Sequence, residues 1–183
     1  MKMHKFHDLS GEKALQLLII TDKNGNQIGT GTRRICHQGA GRPHLAFMAF
    51  IADSAGNLIL ARRSKNKSLW SLFWDASVVS HVLPGESVVE AANRRGKQEL
   101  GVDVKFRQLA AFYYFEKYNG NCENEYCHVL IGKSGKKVEF NPVEIESIRK
   151  ISPDNLKKEI HASPEIFTPW LKLALAKIKI PNL

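Results

Sequence analysis

Cysteine is scarce in this chain: of 183 residues only Cys36, Cys122 and Cys127 are cysteine, an odd set with no C-x-x-C pair. That argues against a disulfide framework and for reduced thiols. Long apolar runs are missing too. None approaches the ~20 residues that a bilayer span needs, and the opening stretch "MKMHKFHDLSGEK" lacks the apolar centre of a secretory signal. A cytoplasmic protein without a membrane span is expected. Acidic residues are outnumbered, 18 against 27 lysines and arginines, which leaves a net charge of +9. Such a balance suits phosphates, yet the basic residues lie in short scattered groups, Arg33-Arg34, Arg62 to Lys67, Arg94 to Lys97 and Lys133 to Lys137, with no basic arm or tail. The scatter weighs against nucleic acid, and a small phosphorylated substrate would use the same charge at fewer positions. Repeats, low-complexity segments and interdomain linkers are absent as well. With 43% hydrophobic residues the chain can bury a sizeable core, so one domain over 1–183 is expected, as a monomer or weak dimer.

What is present reads as a mixture of hairpins and helices. "LQLLIITDKNGNQIGTGT" has an apolar strand, an Asn24-Gly25 turn signal and a returning strand, a hairpin over 15–32. "HLAFMAFIADSAGNLILARRS" gives a second hairpin, from His44 to about Ala52 and from Leu58 to about Arg62. "LWSLFWDASVV" shows no helical period and reads as a packed loop with some strand. After Pro84-Gly85 the pattern changes: an acidic first turn, an apolar stripe of Val88, Ala91 and Ala92, and Gly101 as a C-cap define a helix of about fifteen residues. Arg95 and Glu99, four apart, share one of its faces. Gly96 inside it costs up to about 1 kcal/mol against alanine, which points to close packing there. Two further strands, "LAAFYYFEKY" and "ENEYCHVLIGK", join through a turn at Asn119 to Asn121. "KVEFNPVEIESIRKIS" continues the sheet to about residue 150. Pro153 opens a short helix to about His161, and a last helix runs from about Pro164 to Lys177 with Trp170 inward, so that C-terminal helices fill 152–178.

Three features carry possible chemistry. His81, in "DASVVSHVLPGES", is either a core histidine with a satisfied ring or a ligand. Glu123 and Glu125 in "ENEY" project from one face of a strand, where two carboxylates repel unless solvent or a cation separates them. His37 and His44 flank "QGAGRP", a glycine-rich loop able to fold back and bring the rings together. Three imidazoles and two carboxylates suit Zn or Mn better than bare Mg, which prefers oxygen ligands and water.

These features follow one another in a familiar order. In "GTGTRRICHQGAGRPHLAFMAF", "LARRSKNKSLWSLFWDASVVSHVLPGES", "RRGKQELGV", "ENEYC" and "TPW", from about Leu15 to Trp170, the sequence resembles the type 1 isopentenyl-diphosphate isomerases of the Nudix superfamily. The resemblance implies an α/β (α+β) Nudix fold, a mixed β-sheet sandwiched between helices, with the Nudix core over 44–150. It implies His37, His44, His81, Glu123 and Glu125 as ligands of one divalent metal. Glu99 would hold a second cation, normally Mg, against the substrate diphosphate. Arg33, Arg63, Lys67 and Arg95 match basic residues near that diphosphate, and Trp170 and Tyr113 match aromatics around the isoprenoid tail. Glu125, Tyr113 and Glu99 would carry the catalysis.

The sequence also departs from that family. Where the isomerases have a catalytic cysteine, this chain has Val79. Isomerisation adds a proton at one carbon and removes one from another, and valine can do neither. Ser80 or Cys36 would replace it only with altered local geometry. A Nudix hydrolase is the first alternative, but Arg95 and Gln98 stand where hydrolases place glutamates, although Glu86, Arg94, Glu99 and Gly101 are kept. A non-catalytic diphosphate-binding protein is the second alternative.

Overall fold

Strand β3 (His44–Ala52) organises the molecule because its side chains are buried on both faces, and its unbroken apolar run "HLAFMAFIA" is what a doubly covered strand requires. The computed structural model describes residues 13–180. Met48, Phe50 and Ala52 face one apolar cluster, and Phe47, Ala49 and Ile51 face another. The N-terminal hairpin, β1 (Leu17–Thr21) and β2 (Gln27–Thr32), lies beside β3. Next come β4 (Leu58–Arg63), β5 (Trp74–Asp75) and β6 (Val78–His81), and later β7 (Arg107–Tyr118), β8 (Asn121–Lys133) and β9 (Ile145–Ile151). β3 pairs with β8 in parallel and with β6 antiparallel, so the sheet is mixed. β7 pairs with β8, and β9 with β4, both antiparallel.

Helix α2 (Val88–Leu100) covers one face with Ala91, Ala92 and Leu100. Its start is a capping box: the Ser87 hydroxyl accepts from Glu90 N–H while the Glu90 carboxylate accepts from Ser87 N–H. Gly101 ends it at φ 67°, in the left-handed region where glycine carries no penalty. Gly96 is closely packed as expected, since a Cβ there would lie 3.3 Å from the Val102 carbonyl oxygen. The opposite face is covered by α3 (Pro153–Ala162) and α4 (Pro169–Lys177), with Leu156, Trp170, Leu171 and Ala174 inward. This is the mixed sheet between helices that the family resemblance implies. Three expectations need correction. A short helix α1 (Arg33–His37) follows the first hairpin. The last helix is divided: Pro164–Ile166 forms one 3-10 turn, and Pro169 restarts the chain as α4. Residues 138–144 are loop, and the strand starts only at Ile145.

Candidate metal centre and diphosphate pocket

The same face of three adjacent strands presents the polar cluster. In β3 and β8, His44 is paired with Glu125, and Ala46 of β3 is paired with His81 of β6, so these side chains share a face. Glu123, two residues before Glu125, joins them. His37 enters from α1 because the chain doubles back through Gly41, at φ 56°. A Cβ on Gly41 would meet the Cys36 carbonyl oxygen at 2.1 Å, so only glycine permits this approach. The ring centroids of His37 and His44 are 4.6 Å apart, and each is 5.0 Å from that of His81.

Within this cluster the ligand atoms of His37, His44, His81, Glu123 and Glu125 lie within 4.8 Å of one another, and all five residues are buried. Nδ1 of His37 is 2.8 Å from the Arg33 carbonyl oxygen and Nδ1 of His44 is 2.9 Å from that of Arg42, so each ring donates there and turns Nε2 inward as an acceptor. Nε2 of His37 is 3.1 Å from Glu123, while Nε2 of His44 and of His81 are 3.4 and 3.3 Å from Glu125. None of these approaches is aligned as a hydrogen bond: all three Nε2 atoms and Glu123 Oε2 are buried without one. On His37, His44 and Glu123 the convergent buried atoms are acceptors without donors, which cost free energy as they stand and fit a divalent cation. Arg33 donates to Nδ1 of His81, which leaves that neutral ring's proton on Nε2 until a cation displaces it. Burial opposes charge on His37, but the Glu123 carboxylate outweighs it and holds the imidazole above its usual value. His81 goes the other way, far below, through burial and then the Arg33 charge, whose Nη1 lies 2.9 Å from its Nδ1. Burial would raise Glu123 and Glu125, yet the histidines beside them hold both carboxyls low.

Arg33, Arg63, Lys67, Val79, Ser80, Arg95, Tyr114 and Trp170 line the pocket that opens beside the cluster. The four cations singled out in the sequence therefore converge. Glu99 lies in a smaller cavity adjoining that pocket, 5% exposed, with its carboxyl raised by burial. Arg95 Nε donates to Glu99 at 2.9 Å, and its Nη2 is 3.2 Å from Glu144, which also pairs with Lys67. Tyr113 is the exception. Its side chain lies on the other face of β7, under Lys23 at 5.2 Å from the ring centroid. Tyr114 takes the expected place, its hydroxyl donating to Glu125, and burial with that carboxylate raises the phenol far above its usual value. Of the two replacements considered for a cysteine at 79, Ser80 lines the pocket and Cys36 is not among its lining residues. Cys36 is packed with Leu18 and Ile20, its thiol pushed up to about 11 by burial. Neither Asp75 nor Glu144 is singled out by the sequence: Glu144 lies outside the quoted motif stretches, and Asp75, although inside "LARRSKNKSLWSLFWDASVVSHVLPGES", has partners at Thr168 and Trp170 that are distant in sequence.

Residues 42–171 match the NUDIX domain, and the chain belongs to the NUDIX family. Within that family it falls in the isopentenyl-diphosphate Delta-isomerase branch, by similarity over most of its length. The isomerase of Haloarcula marismortui is 33% identical, covering 93% of this chain and 95% of that protein. That of Halorhodospira halophila is 32% identical, covering 86% and 92%. A crystal structure from Deinococcus radiodurans is similar with a TM-score of 0.73 at 26% identity, covering 88% of this chain and 98% of that one. The MutT protein of Methanosarcina mazei shares the fold, with a TM-score of 0.61 at 20% identity over 74% and 91% of the two chains.

Proposed function

We propose that this protein is a metal-dependent enzyme acting on isoprenoid diphosphates, and that it converts isopentenyl diphosphate to dimethylallyl diphosphate. The observation that carries the reading is the Tyr114–Glu125 pair, set inside the histidine–carboxylate cluster in a pocket that Trp170 and several cations also line. The cluster would hold Zn or Mn, with Mg the alternative, and Glu99 would hold a Mg ion with the diphosphate. Bound cations there supply positive charge that offsets the carboxylates and the diphosphate. The chain's own residues do the rest. Arg33, Arg63, Lys67 and Arg95 donate charge-assisted hydrogen bonds to phosphate oxygens. Tyr114 keeps the Glu125 carboxyl oriented to protonate the tail, and the proton lost from the opposite carbon, where Val79 offers no base, would pass to solvent. Trp170 and Val79 form the apolar wall against which that tail rests.

Hydrolysis of the diphosphate is the second reading, favoured by Val79, which offers no proton-transfer group on the pocket wall. Helix α2 speaks against it. Glu86, just before α2, is held by Arg94 at 2.5 Å, and Gln98 accepts from Arg95 at 3.1 Å, which leaves Glu99 as the α2 carboxylate beside the pocket. Proton and phosphorus NMR of metal-loaded protein with isopentenyl diphosphate in deuterated water separates the readings. Dimethylallyl diphosphate carrying deuterium is the expected product. Phosphate or a monophosphate would make the protein a hydrolase, and binding without change would make it a non-catalytic diphosphate-binding protein.

A further inference from the structure

Asp75 is 3% exposed, and it is the hub of contacts that reach the pocket without lining its main part. Its carboxylate accepts from Trp170 Nε1 at 2.9 and 3.0 Å, from the Thr168 hydroxyl at 3.0 Å and from Ala76 N–H at 2.8 Å. Arg63 Nη1 approaches it at 3.4 Å. Arg63 is otherwise fixed by the Leu69 and Trp70 carbonyl oxygens, and its guanidinium lies 5.3 Å from the Trp170 ring centroid. The Thr168 hydroxyl caps no backbone group of α4, so that side chain is committed to Asp75. Two consequences follow from elementary electrostatics. An indole that donates to a carboxylate gains electron density on its face, which strengthens attraction for a cation there. The same carboxylate offsets Arg63, whose charge alone would repel a cation from that ring.

We infer that Asp75 is a positioning residue that aims Trp170 and Arg63 together and gives the indole face its preference for a positively charged isoprenoid tail. The inference rests on the isoprenoid diphosphate reading above. It is tested by calorimetric titration with two diphosphates of the same shape, one bearing a neutral branched five-carbon tail and one a trialkylammonium tail. The wild-type protein binds the ammonium compound more tightly. Asp75→Asn, which keeps acceptors for Trp170 and Thr168 but loses the charge, lowers that preference about fivefold or more; because the preference is a ratio of two affinities in one variant, any effect through Arg63 on the shared diphosphate cancels. A preference unchanged in Asp75→Asn overturns the inference. Should that variant not fold, Asp75→Ser, a smaller uncharged acceptor that leaves the indole in place, is read instead. An equal loss supports the inference and an unchanged preference overturns it. If neither compound binds the wild-type protein, the functional reading itself falls.

Discussion

At the scale of single residues, the choice between Tyr113 and Tyr114 decides which phenol serves Glu125. The run "LAAFYYF" carries no alternation of polar and apolar residues, so its pattern does not say which tyrosine faces inward. The register does. Asn119 and Gly120, at φ 46° and 78°, form a two-residue turn that pairs Tyr118 with Asn121. Counting back along that ladder pairs Tyr114 with Glu125, and Tyr113 with Tyr126. The turn signal was thus present in the sequence, and a one-residue slip moves every side chain to the other face. Tyr114→Phe is expected to lower turnover by about 10²-fold, the typical scale of a lost proton-transfer partner, with metal content retained. Tyr113→Phe leaves both unchanged. Equal losses in steady-state rate for the two variants would contradict the assignment. The histidines were legible for a different reason: their types and spacing carry the family pattern, whereas His81 alone looks like any core histidine.

At the scale of elements, the hairpins and helix α2 were readable because turn glycines, an acidic first turn and a C-cap glycine act locally. Helix α1 was not, since five residues with no side-chain cap leave little local signal. Nor was the break before α4, where the Thr168 hydroxyl is drawn to Asp75 on a strand 93 residues earlier. That clasp has a measurable signature. Burial raises the Asp75 carboxyl from 3.8 to about 6. A group raised on folding stabilises the native state fully below its unfolded value and loses that contribution as pH rises through the folded one. The shift corresponds to roughly 3 kcal/mol. Chemical denaturation between pH 3.5 and 7.5 (a range of about four units) should therefore show wild-type stability falling relative to Asp75→Asn as pH rises through about 4 to 6. A difference that stays flat, or grows in favour of wild type, would show that the carboxyl is not raised by its burial.

At the scale of the whole molecule, the site is assembled from every layer: α1 and the first hairpin's exit, strands β3, β4, β6, β7 and β8, α2, the loop before β9 and the start of α4. Charges of both signs meet there, with Glu144 from that loop touching Lys67 and Arg95 from two other elements. Buried ion pairs are weak sources of stability, so their gathering in one place is better explained by function than by folding. Contacts of this range have no periodicity or spacing to announce them, which is why the partners of Glu144 and Asp75 are not legible in the sequence. No helix among the described residues is long and apolar enough to cross a membrane. The central claim, that five side chains from α1, β3, β6 and β8 form one metal centre, is tested most directly by X-ray absorption at the metal edge of protein loaded with one equivalent of Zn or Mn. A mixed shell of histidine nitrogens and carboxylate oxygens is predicted, with the histidine signal reduced in His81→Ala. An all-oxygen shell like that of the hydrated ion, or a spectrum unchanged in His81→Ala, would contradict it.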